Sequence, residues 1–162
     1  MPPRWRNWPS AADDEILLQA RLLAATDRLE LADPAFRAEL DEFLRLAATS
    51  RQPRFRYAAL VRRATLALLA GRLEEASQLI GQAEILGAEC GEPGVRDVRY
   101  DQGWDLTTAE GRLGELADTL PEMFPDPESA QARGARAQVL IAAGARDEAA
   151  EVVAPLLDRG PR

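Results

Sequence analysis

Apolar residues recur along this chain at spacings of three and four, strand-like alternation is nearly absent, and proline and glycine fall mostly at the joints between periodic segments. That pattern predicts an all-α chain. Ser10, with Asp13 three residues on, caps a first helix running to about Leu31, and Asp33-Pro34 opens the second. Pro53 opens the third helix, which Gly71 closes. The fourth runs from about Leu73 to Glu89, and Gly91-Glu-Pro-Gly94 separates it from a fifth over Val95 to about Glu110. Leu113 to about Leu120 makes the sixth, Asp126-Pro127 opens a seventh ending near Ala143, and Arg146 to about Leu157 makes the eighth, with Pro155 kinking or shortening its end.

A short cassette repeats at three of these joints: Gly71-Arg-Leu-Glu-Glu-Ala76, Gly111-Arg-Leu-Gly-Glu-Leu116 and Gly144-Ala-Arg-Asp-Glu-Ala149. In each, a glycine able to take positive φ closes one helix, and an acid shortly after it sits in the first turn of the next, where the helix dipole favours negative charge. The apolar triplets that follow share one spacing: Phe36, Leu40, Phe43; Ala76, Ile80, Ala83; Leu116, Leu120, Met123; Ala149, Val153, Leu156. Their first members recur every 33 to 40 residues, close to the periods of helix-pair repeats.

The Gly-x-x-x-Glu-Ala corner, the triplet after it and Pro161 twelve residues beyond Ala149 resemble the tetratricopeptide repeat. Gln52-Pro-Arg-Phe55, Ala67-Leu-Leu-Ala-Gly-Arg-Leu-Glu-Glu-Ala76, Leu86-Gly87 and Gly91-Glu-Pro93 resemble the tetratricopeptide-like C-terminal region of actinobacterial multidomain regulators, large signalling ATPases and cyclase-linked proteins. The resemblance covers roughly Leu31 to the C-terminus. It implies a right-handed α-solenoid of about four antiparallel helix pairs, over residues 10–50, 53–90, 94–123 and 126–158, after a flexible lead-in at 1–9. It also implies a scaffold or sensor working in regulation, either as a fragment of a larger protein or alone. Two features depart from the family pattern: Pro121 interrupts the third pair's second helix, and the fifth helix carries acids where the family is mostly apolar or amide-bearing.

Composition narrows the chemistry. The 162 residues contain no histidine, which excludes histidine acid–base catalysis, a Ser/His/Asp triad and any histidine-ligated metal. Lysine is absent too, which removes Schiff-base chemistry and the lysine of a phosphate loop. The net charge of −7 argues against direct nucleic-acid binding, and no apolar run predicts an export signal or a membrane span, so the expected setting is cytoplasmic. Cys90, the single cysteine, reads as structural. No cofactor or metal is expected.

The fifth helix carries the candidate site. Asp97, Asp101 and Asp105 recur every four residues and form one acidic stripe. In the repeat register, Asp101 and Asp105 line the concave surface beside Val61, Thr65 and Leu68, with Gly134, Gln138 and Ile141 across from them. Tyr100 and Trp104 adjoin the acids. One reading is a groove for a basic peptide, a protein partner or a cationic effector. The other is a solvated face, or one paired with Arg62, Arg99 or Arg136. Arg51, Arg54, Arg56, Arg62 and Arg63 form a basic cluster that could meet phosphate or an acidic partner, though in an acidic chain the expected role is pairing with Glu39, Asp41 or Glu42. The expected function is a non-catalytic binding scaffold or sensor. A small enzyme or ligand carrier using an acidic and aromatic pocket is the alternative, and self-association into a homodimer through uncovered repeat ends stays open.

Overall fold

The computed structural model describes residues 11–157. The lead-in at 1–9, the Ser10–Asp13 cap and Pro161 lie outside the residues and side chains so described. Among the described residues the chain is all helix and loop, with α1 Ala11–Glu30, α2 Phe36–Ala48, α3 Pro53–Leu69, α4 Leu73–Cys90 and α5 Val95–Ala109. A 3₁₀ helix, η1 Leu113–Asp118, and a single turn, α6 Leu120–Met123, follow before α7 Ala130–Ala142 and α8 Arg146–Leu157. No helix among the described residues is long and apolar enough to cross a membrane.

The chain divides into two compact units, Met1–Ala59 and Leu60–Arg162, with the division inside α3. In the first unit α1 packs on α2, burying Leu18 and Ala25 of α1 and Leu40, Phe43 and Ala47 of α2. Phe43 is wholly enclosed, and Phe55 of α3 is buried as well. In the second unit the core is a cluster of Ala64 and Ala67 from α3 with Ala76, Leu79 and Ile80 from α4, flanked by Leu60, Leu68 and Leu106. Its three alanines have no exposed surface, so this part of the core is built on small side chains from both helices. Further along, α4 packs on α5, and α7 packs on both η1 and α8.

Five helices end in the same way. At Gly71 the amide donates to Leu68 O at 3.0 Å and the next amide, of Arg72, to Ala67 O at 2.9 Å, the paired bonds of a Schellman cap. Gly91, Gly111 and Gly144 repeat the pair, with φ of 67°, 71° and 85°. The fifth such corner, between α1 and α2, has Ala32 at φ 53°. All three glycines of the sequence cassette are therefore left-handed helix stops, and acids stand in the turns after them: Glu74 and Glu75, Glu115, Asp147 and Glu148.

Three boundaries differ from the sequence expectation. The second helix starts at Phe36 rather than at Pro34, because the Asp33 carboxylate accepts the Ala35 amide at 2.9 Å and holds the chain in a turn. The predicted sixth helix is η1 followed by the one-turn α6. Pro121 has no amide to donate to Ala117 O, so the i→i−4 ladder is interrupted where η1 gives way to α6. The seventh helix starts at Ala130, capped by Ser129, whose hydroxyl accepts the Ala132 amide at 3.1 Å, while Asp126-Pro127 form the preceding turn. Pro155 sits within α8, which continues to Leu157.

Candidate functional site

Gly94, at φ 75°, opens α5 and its carbonyl accepts the Val98 amide at 3.0 Å. The four-residue spacing then places Asp97, Asp101 and Asp105 on one exposed face. Among the described residues no ion pair engages any of the three. Arg99, one of three arginines considered as partners for the stripe, turns instead to Glu84 at 2.8 Å. Tyr100 and Trp104 are half-buried. The Tyr100 hydroxyl donates to Glu122 Oε2 of α6 at 2.9 Å, and that bond, followed by partial burial, raises its pKa above the usual phenol value. Thr65 is exposed, with its hydroxyl engaged on its own helix by donating to Val61 O at 3.1 Å. Gln138 is exposed on α7, and among the described residues no hydrogen bond or ion pair joins it, or Thr65, to the acids. The residues singled out from the sequence thus occupy one unit without converging through polar contacts.

The residue that ties α5 to α3 is Gln102. It is buried, 6% exposed, and its amide donates to Val61 O at 2.9 Å and to Thr65 Oγ1 at 3.1 Å. Its signal in the sequence is its place midway between Val98 and Leu106, where an apolar stripe four residues in period is broken by one amide.

A second feature lies between η1, α6 and α7, and the sequence reading did not assemble it. Ala132, Arg136, Val139 and Leu140 form one stripe of α7, and Ala117, Leu120 and Pro121 face them across a cleft of about 470 Å³. Phe124, Pro125 and Pro127 close one side. That loop is held by its own hydrogen bonds: Asp126 Oδ1 accepts the Glu128 amide at 3.0 Å, and the Ser129 hydroxyl donates to Asp126 O at 2.8 Å. Arg133, one residue along from the cleft stripe, pairs with Glu128 and donates to Val152 O at 3.2 Å, fastening the loop to α7 and α8. The walls are therefore largely set in place, and Arg136 is the one charged residue among those lining them.

The basic cluster distributes differently from the expectation. Arg54 pairs with Glu15 and covers the Phe55 ring at 4.7 Å. Glu39 is taken by Arg21 at 2.6 Å, brought to it by the packing of α1 on α2, and Glu42 by Arg45 at 2.7 Å, one turn along the same helix. The Glu42 bond with Arg45 lowers the carboxyl's pKa. Arg51 lines a separate cleft of about 480 Å³ in the first unit, with Asp14, Glu15 and Phe55 among its walls. Cys90 is half-buried, its thiol directed at Gly87 O at 3.6 Å. Among the described residues no group of three or more carboxylates or thiols could hold a metal ion.

No protein-family model, no curated protein and no solved structure matches this chain significantly.

Proposed function

We propose that this chain is a non-catalytic helical-repeat module of the tetratricopeptide-like kind, a scaffold or sensor in bacterial regulation, and that it takes its effector in the cleft between η1, α6 and α7. The observation that carries the reading is that cleft: about 470 Å³, apolar on nearly every side, with a single charged group. Small-molecule sites are typically about 300 to 1,000 Å³, mostly apolar, with a few polar groups that set orientation. The preformed loop 124–129 supports it further, since walls already in place cost a ligand little ordering entropy. The periodic triplets and repeated Schellman corners support the helical-repeat part of the proposal.

The test is native mass spectrometry of the chain purified without detergent, followed by hydrogen exchange with and without whatever it retains. The expected result is a retained small molecule that slows exchange between Leu113 and Leu140. Slowed exchange confined to α5 would overturn the placement and return the binding surface to the acidic stripe.

A further inference from the structure

The cleft has a charge asymmetry. Of the acids on the segments around it, Glu115 pairs with Arg112, Glu122 accepts the Tyr100 hydroxyl at 2.9 Å, Glu128 pairs with Arg133 and Asp126 accepts the Glu128 amide, while among the described residues no ion pair engages Asp118; none of the five lines the cleft itself. Arg136 has no such counterpart: it is exposed in the middle of the α7 stripe, between buried Ala132 and Val139, and among the described residues no ion pair engages it. A guanidinium cannot lose its proton at any physiological pH, and its fork of donors matches a carboxylate in two places at once.

Resting on the binding role proposed above, we infer that the cleft takes a small amphipathic monocarboxylate, its apolar body against Phe124, Leu120 and Val139 and its carboxylate on Arg136. The three prolines of the opposite wall supply no amide donors, so a polar head finds its donors on the Arg136 side. The volume suits a single small molecule rather than a folded partner. The chain's net charge of −7 opposes anions at long range, but at physiological salt that field is screened beyond about 8 Å, whereas a contact pair against an apolar floor is screened far less.

The experiment titrates the full chain by calorimetry with decanoate and with decanol, which share a body and differ in the head. Decanoate is expected to bind about threefold more tightly than decanol, the scale of an ion pair at an exposed guanidinium. Arg136→Gln removes that preference, weakening decanoate more than decanol. Ala117→Trp, at an exposed wall position, obstructs the cleft and weakens both ligands. Equal affinity for the two ligands in the unaltered chain, or an Arg136→Gln variant that keeps the preference, overturns the carboxylate assignment. If Ala117→Trp still weakens both in that case, the cleft stands as a binding site without it. If neither ligand binds, the inference fails, and the exchange measurement on the retained molecule judges the cleft independently.

Discussion

Gln102 shows how one side chain can be structural in a place that looks functional. Its amide spans from α5 to α3 and satisfies both the Val61 carbonyl and the Thr65 hydroxyl. Gln102→Leu keeps the volume but drops both bonds. Thr65 is exposed enough to turn to water and still donates to Val61 O, so the expected cost is only about 1 kcal/mol, read as a lower urea midpoint at unchanged slope. Asp33 is a second such residue. Its pKa lies below the ordinary carboxylate value, first because it accepts the Ala35 amide, with Arg28 at 2.6 Å assisting and burial opposing. A carboxyl lowered in the folded state stabilises above its unfolded pKa, and that contribution is lost as pH falls through the folded value. Asp33→Ala is therefore expected to lower Tm at neutral pH and to match the unaltered chain more closely as pH falls below the ordinary carboxylate value of about 3.9. Parallel melting curves across that range check it.

At the scale of the helix, the corners are the recurring device. A Cβ built at Gly71 meets nothing within 4 Å, so Gly71→Ala has no steric clash and costs only the left-handed backbone, about 1 kcal/mol. Ala32 already carries that cost at φ 53°. Ala32→Gly removes it but gives the unfolded chain more freedom, so the net gain is smaller, about a few tenths of a kcal/mol. Equilibrium denaturation of both variants checks the pair of signs. The cassette made these stops legible in advance, because glycine at a helix end has one dominant physical use. Ala32 was not legible, since alanine gives no sign of positive φ. The stretch after Gly111 was legible only in part: Pro121 marks the interruption, but Leu116, Leu120 and Met123 keep the α-helical period through what is a 3₁₀ helix and a single turn.

For the whole molecule, each unit was legible only where chemistry is local. Helix count and type follow from a period that each segment carries within itself. The cleft depends on side chains from η1, α6, the loop and α7, which no spacing rule brings together, and its one cation was indistinguishable in sequence from the 19 other arginines. Ion pairs were the least readable part. Glu39 could have met any of several arginines, and which one it meets is decided by the α1–α2 packing that puts Arg21 at 2.6 Å. Exposed arginines without an ion pair recur among the described residues, Arg56, Arg63, Arg96 and Arg146 with them, so what singles out Arg136 is its place in the lining of an apolar cleft and not its lack of a partner.

The glycine corners have a stereochemical consequence. Positive φ is strained for an L-residue and relaxed for its mirror image, so Gly71, Gly91, Gly111 and Gly144 are sites where a chemically assembled chain could carry D-alanine. A D-methyl group there would narrow the unfolded ensemble while keeping the native backbone in its preferred region. The same four positions that natural L-substitution weakens are thus the ones where inverted chirality would strengthen the fold.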